Sequence, residues 1–104
     1  MHDAALAGYS AALEKWPESV GAVLGKANAL YALGRTAEAG DVLLEGSVVH
    51  PESGPILNNL AHVMLELGMY EKALDAAARA VETGGPHIQT YRETADRIRG
   101  AINP

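Results

Sequence analysis

The sequence predicts an all-α fold of about six helices, and three observations carry that prediction. Alanine, leucine, valine and glutamate are abundant and phenylalanine is absent, a composition that favours helix over strand. Proline and glycine divide the chain at intervals of about 17 residues. Between these marks, apolar residues recur three and four positions apart, which is helical spacing. With 104 residues, the chain has room for one domain but not two.

The positions of proline and glycine also predict where each helix begins and ends. The breaking segments are Trp16-Pro17, Leu33-Gly34, His50-Pro51, Leu67-Gly68 and Gly84-Gly85-Pro86. Since proline and a left-handed glycine both end helices, we predict helices near 3–15, 19–33, 36–49, 54–67, 70–83 and 87–101.

An internal repeat of about 34 residues appears when the chain is aligned with itself. Leu33-Gly34 matches Leu67-Gly68, and Ala27 matches Ala61. Pro17 and Pro51 share the same offset. A repeat of this length indicates helix-turn-helix units that bury their apolar faces against their neighbours, as in a helical solenoid.

The second copy of this repeat resembles the tetratricopeptide repeat family. Ala61, Gly68, Tyr70 and Ala73 stand at the family's small, turn, aromatic and small positions. The first copy departs from the family pattern, because Thr36 replaces the aromatic residue and Gly46 replaces an alanine of the second helix. The resemblance implies a right-handed solenoid of three antiparallel helix pairs over nearly the whole chain. It divides the chain into a partial repeat (3–17, a lone second helix), two repeats (20–53 and 54–87) and a capping helix (88–102).

Because about three repeats are normally needed for stability and this chain begins inside one, we expect one of two situations. The chain is a piece of a longer protein, or it covers its open end by self-association. A narrower resemblance rests on Trp16-Pro17-Glu18-Ser19, Asn58-Asn59-Leu60-Ala61-His62, and Gly84-Gly85-Pro86-His87 followed by Tyr91-Arg92. These motifs are similar to the C-terminal repeat region of bacterial papain-like cysteine peptidases of the bacteriocin-processing type, which implies a bacterial protein without its catalytic half.

Charge and composition exclude several partners. The net charge is −5, whereas nucleic-acid binding requires clustered lysine and arginine, so no nucleic-acid partner is predicted. No apolar run approaches the roughly 20 residues of a membrane helix, and the first residues lack the features of a signal peptide. We predict a soluble chain without membrane insertion. The absence of cysteine is compatible with either cytoplasm or periplasm.

The sequence offers no catalytic chemistry. It contains no phosphate-binding loop, dinucleotide-binding glycine pattern or Gly-x-Ser-x-Gly elbow. His62 and Glu66 have the spacing of a helical metal site, but two such ligands are too few, and His50 and His87 fall in predicted turns. We predict a protein that is not an enzyme, with no cofactor and no metal site.

The resemblance places candidate binding residues on the concave face, which the first helix of each repeat lines. The two full repeats contribute Leu24, Asn28, Tyr31, Ala32, Asn58, Asn59, His62, Leu65 and Glu66. The last helix adds Gln89, Arg92, Glu93 and Asp96 if it continues the stack. This mixed polar surface suits an extended peptide or a partner helix.

Two asparagines have a spacing that some family members use to hold a peptide backbone and its terminal carboxylate. Asn28 and Asn59 stand slightly less than one repeat apart, and an amide side chain both donates to and accepts from peptide groups. The basic residues of that carboxylate clamp are missing, because Leu24 and Gln89 stand at its lysine positions and Glu93 at its arginine position. Alternatively, the two asparagines are common repeat residues without a special role.

We therefore predict a non-catalytic interaction module that binds a peptide or partner protein through the concave face. Two alternatives stay open: an accessory domain of a larger enzyme such as a bacterial cysteine peptidase, and a structural element that forms a homodimer through its terminal helices. Gly21 and Gly25, which fall inside a helix, indicate either close packing against the first helix or a groove wall kept low for a ligand.

Overall fold

A computed structural model describes residues 1–104, and it contains six α-helices and no strand. The helices are α1 (His2–Lys15), α2 (Val20–Ala32), α3 (Thr36–Val49), α4 (Gly54–Glu66), α5 (Tyr70–Thr83) and α6 (Ile88–Ile102). The predicted all-α class is confirmed, and each predicted helix end agrees with the observed one or lies next to it. None of the six helices is long and apolar enough to cross a membrane.

The two central helix pairs begin and end in the same way, one repeat apart. Ser19 and Ser53 cap α2 and α4, and each serine Oγ accepts a hydrogen bond from a backbone N–H three positions later. Gly34 and Gly68 follow the same helices with φ of 77° and 75°. Such left-handed residues end a helix, as the sequence predicts for both glycines.

The contacts between helices show which side of the stack is concave. Each helix packs against the next one along the chain, and in addition α2 packs against α4 and α4 against α6. The odd-numbered helices α1, α3 and α5 do not contact one another. Since α2, α4 and α6 are drawn together while the other three are spread apart, the even-numbered helices line the concave side.

The core is built mainly around α4, which has eight buried residues, whereas α1 has none. Ile56 and Leu57 of α4 are completely buried, as are Leu43 of α3 and Ile98 of α6. Alanines fill the crossings between the helices of a pair: Ala39, Ala61, Ala73, Ala77 and Ala80 are all fully buried. Small side chains there allow the helix backbones to approach closely.

Three glycines inside the helices make room for a neighbouring side chain. A Cβ on Gly25 would overlap the Tyr9 ring of α1, and one on Gly54 would lie 2.5 Å from the Tyr91 hydroxyl of α6. A Cβ on Gly46 would lie 2.7 Å from Val23. Gly25 therefore permits the close packing against the first helix that was one of its two predicted roles.

Candidate functional site

A cavity of about 550 Å³ opens on the concave side where α2, α4 and α6 come together. Its apolar floor includes Leu43, which reaches in from α3, and Val63 of α4. Polar side chains surround that floor on α2, α4 and α6. A concave space with an apolar floor and a few polar groups is the form that binding pockets usually take.

Six of the thirteen predicted binding residues line this cavity: Asn28, Tyr31, Asn59, His62, Leu65 and Glu66. They lie together because α2 and α4 present equivalent faces one repeat apart. Asn28 and Tyr31 are exposed, while Asn59, His62 and Leu65 are half-buried.

The other seven predicted residues lie outside the cavity. Leu24 packs against the core. Asn58 is only 8% exposed, and its buried Oδ1 has no hydrogen-bond partner. The remaining five are exposed but do not line the cavity: Ala32 on α2, and Gln89, Arg92, Glu93 and Asp96 on α6.

Arg97 supplies the cavity's positive charge, although it was not among the predicted binding residues. The sequence contains only a partial signal for Arg97. Glu93 stands where the family resemblance places an arginine, and Arg97 follows it by four positions, so the two lie on the same helix face one turn apart.

His62 and Arg97 connect α4 to α6 across the cavity. An Nη of Arg97 donates a hydrogen bond to His62 Nδ1, and His62 Nε2 lies 3.4 Å from Thr94 Oγ1. Thr94 Oγ1 in turn donates to the Thr90 carbonyl oxygen at 3.1 Å. These contacts hold the imidazole in one orientation at the cavity wall.

Burial lowers the pKa of His62 below its ordinary value, and the nearby Arg97 charge lowers it further, while Glu66 acts in the opposite direction. On α2, the neighbouring Glu66 raises the pKa of Tyr31, first as a hydrogen-bond acceptor that favours the protonated phenol and second through its negative charge. In the cavity, the Arg97 cation of α6 therefore lies beside the His62 imidazole of α4, and the Glu66 carboxylate of α4 lies beside the Tyr31 phenol of α2.

The lowered pKa of His62 predicts that acid destabilises the fold through this residue. Above the ordinary pKa of 6.5, His62 is neutral whether the chain is folded or unfolded. As the pH falls below that value, the unfolded chain takes up a proton first, so the free energy of unfolding decreases until the folded pKa is passed. We expect His62→Gln to reduce this decrease, measured as the urea midpoint at about pH 7.5 and about pH 5. Equal changes in midpoint for the two proteins would contradict the prediction.

No family model and no curated protein matches the sequence. Among solved structures, the chain is similar to the first TPR of Spaghetti (RPAP3) bound to the HSP90 peptide SRMEEVD, with a TM-score of 0.87 and 16% identity over 99% of this chain and 81% of that one. It is also similar to the Yersinia enterocolitica type III secretion translocator chaperone SycD, with a TM-score of 0.87 and 16% identity over 99% of this chain and 75% of that one. A further structure shows SycD in complex with a peptide of the translocator YopD, with a TM-score of 0.85 and 16% identity over 98% of this chain and 82% of that one. The chain thus has a tetratricopeptide-like helical fold.

Proposed function

We propose that this chain is a non-catalytic interaction module that binds an extended peptide segment of a partner protein in the concave cavity. The observation that carries the proposal is the cavity itself, where amides from α2 and α4 stand over an apolar floor. Asn28 and Asn59 can each donate to and accept from a peptide backbone, while the floor accommodates an apolar side chain. The peptides bound by Spaghetti and SycD support this proposal by analogy of fold.

Under this proposal the chain consists of a partial repeat, two full repeats and a last helix. Residues 20–53 and 54–87 form two repeats whose first helices, α2 and α4, provide most of the cavity. α6 takes the place of a further first helix, since it packs against α4 and contributes Arg97. α1 is then the second helix of a partial repeat.

The test is selection of heptapeptides from a random display library on the immobilised protein, followed by calorimetry with the selected peptides. We expect the Asn28→Ala, Asn59→Ala double variant to bind them at least about tenfold more weakly, because each lost hydrogen bond costs about 1 kcal/mol. Asn103→Ala is the matched control, since Asn103 is exposed at the far end of the chain. Equal binding by the double variant and the control would show that the cavity is not the binding site.

Self-association through α1 is a second candidate. α1 buries none of its residues, packs only against α2, and leaves Tyr9 and Trp16 42% and 57% exposed. A second copy could cover this face. Sedimentation velocity over a range of concentrations tests it: a dimer that dissociates on dilution and is weakened by Trp16→Ser supports pairing, and a monomer at every concentration excludes it.

The narrower peptidase relationship is also a proposal. Two of the three motifs that suggest it lie in turns between helices, and the third lies in α4. In the first turn Ser19 caps α2, and in the second Gly84 and Gly85 adopt positive φ between α5 and α6. In this reading the chain is an accessory domain that positions a bacterial cysteine peptidase. Sequencing the gene upstream of the codon for Met1 tests it, and an open reading frame without a peptidase domain would exclude it.

A further inference from the structure

The contact between Arg97 and His62 fixes the protonation state of the imidazole. A guanidinium group has only donors and stays charged, so His62 Nδ1 must accept with its lone pair. His62 is therefore neutral, with its proton on Nε2, which faces Thr94 Oγ1 at 3.4 Å. Thr94 can accept that proton because its own hydroxyl hydrogen is directed to the Thr90 carbonyl oxygen. Each hydrogen in this chain of contacts is thus assigned.

Arg97 has no carboxylate partner. The two salt bridges of the protein join Arg35 to Glu38 and Arg99 to Asp96, and neither involves Arg97. Its partner in the cavity is an uncharged ring, whereas arginine forms its strongest contacts with carboxylates, often through two parallel hydrogen bonds. A guanidinium held at a cavity wall against a neutral acceptor is therefore available to an anion.

The charges that face His62 are few. α6 contributes Arg97, α4 itself contributes Glu66 one turn further along, and α2 contributes the Tyr31 phenol. α3 contributes only the apolar Leu43, and α5 contributes no residue to the cavity. Because Glu66 already interacts with Tyr31, the Arg97 side of the cavity is the positive side.

We propose that the cavity recognises a carboxylate of the bound peptide through Arg97 and His62 together, and that His62 takes up one proton as the carboxylate binds. The proposal rests on the proposed peptide-binding function and names the chemistry of its ligand. In this step the hydrogen bond from Arg97 to His62 breaks, and the carboxylate accepts a hydrogen bond from the guanidinium. A proton from solvent binds Nδ1 and stays there, and the new Nδ1–H donates a hydrogen bond to the ionised carboxylate. Neither residue stands at a position of the family's carboxylate clamp, where this chain has Leu24, Gln89 and Glu93.

The direction of the proton transfer follows from the electrostatics. Burial and the positive charge of Arg97 both keep the imidazole neutral in the free protein. A bound carboxylate offsets the Arg97 charge and adds an opposite charge beside the ring, so both changes favour the imidazolium. Binding is therefore linked to proton uptake and becomes tighter as the pH falls through the range in which the imidazole titrates.

Two carboxylates can satisfy this chemistry: an acidic side chain and a peptide's C-terminus. Three synthetic probes distinguish them, namely acetyl-Ala-Ala-Glu-Ala-Ala-amide, the same peptide with Gln in place of Glu, and acetyl-penta-alanine with a free C-terminus. Each is titrated at millimolar concentration while NMR follows the imidazole nitrogens of His62 and the side-chain NH of Arg97. Measurements at about pH 6 and about pH 8 give the linkage.

We expect at least one acidic probe to bind saturably, to raise the apparent pKa of His62, and to bind about three- to tenfold more tightly at the lower pH. The Gln probe should produce neither change. The acidic probe that binds identifies the source of the carboxylate.

Arg97→Gln should abolish the preference for the acidic probe, and Arg99→Gln, whose arginine is exposed and already paired with Asp96, should preserve it. Equal binding of the acidic and Gln probes, or acidic probes that leave the His62 pKa unchanged, would overturn the inference. Because the library selection with the Asn28→Ala, Asn59→Ala variant involves neither Arg97 nor His62, peptide binding in the cavity can hold while carboxylate recognition fails.

Discussion

Replacement of Ile56 by alanine is expected to lower the free energy of unfolding by about 2–5 kcal/mol. Ile56 is completely buried and belongs to the main core cluster, with Val23 of α2 and Leu43 of α3. Removing its side chain beyond Cβ both loses buried apolar surface and leaves a cavity where α2, α3 and α4 meet. Domains of this size are stable by only about 5–15 kcal/mol, so the loss is a large fraction of the total.

Urea unfolding followed by circular dichroism measures this change, with the slope of the transition checked to confirm that the same surface unfolds. Val48→Ala is the matched control, because Val48 is 75% exposed on α3. It should change the free energy of unfolding by no more than about 0.5 kcal/mol. A comparable loss in both variants would mean that burial at Ile56 does not govern stability.

Gly46→Ala is expected to lower the free energy of unfolding by about 1–3 kcal/mol, although alanine is the better helix former. The added Cβ would lie 2.7 Å from Val23 Cγ1 and 3.5 Å from Ile56 Cδ1. Val23 is only 3% exposed, and a β-branched side chain has few alternative rotamers in a helix, so the clash must be relieved by moving α3 away from α2. The steric cost therefore exceeds the gain in helix propensity.

A double-mutant cycle with Val23→Ala isolates this clash. If Val23 is its source, Gly46→Ala should cost at least about 1 kcal/mol less in the Val23→Ala background than in the wild type. Gly8→Ala is the control for helix propensity, since nothing lies within 4 Å of a Cβ placed there. It should stabilise the fold by about 0.5–1 kcal/mol. A stabilising Gly46→Ala, or no coupling to Val23, would contradict this packing of α3 on α2.

The helices were predictable because their ends are set locally. Gly34 and Gly68 end α2 and α4 through left-handed backbone, and Ser19 and Ser53 begin the same helices by capping them. Gly46 shows what the sequence pattern missed. In the repeat pattern, Gly46 is only a departure from the alanine that the family has at this position. The structure shows that Val23 occupies the space that an alanine side chain would need.

The site was less predictable because it depends on how the helices cross. Repeat register placed Asn28, Asn59 and His62 on one face, but it could not tell which arginine of α6 reaches α4. Arg92 and Arg97 are five positions apart and so point about 140° apart around the helix. The packing of Tyr91 against Gly54 and of Ile98 into the core fixes the rotation of α6, and that rotation directs Arg97 to the cavity. A repeat period does not specify such contacts between distant residues.

Because the core is centred on α4, the six helices differ in how easily each can separate from the rest of the fold. α4 packs against α2, α3, α5 and α6, so it cannot be exposed without disrupting most of the molecule. α1 packs only against α2 and buries no residue, so it can detach without disturbing the packing of α3, α4, α5 and α6 on one another. In a linear stack, local opening among these six helices then costs least at α1 and more toward α4. The cavity is formed by α2, α3, α4 and α6, so it remains assembled in partly opened forms from which α1 has already detached.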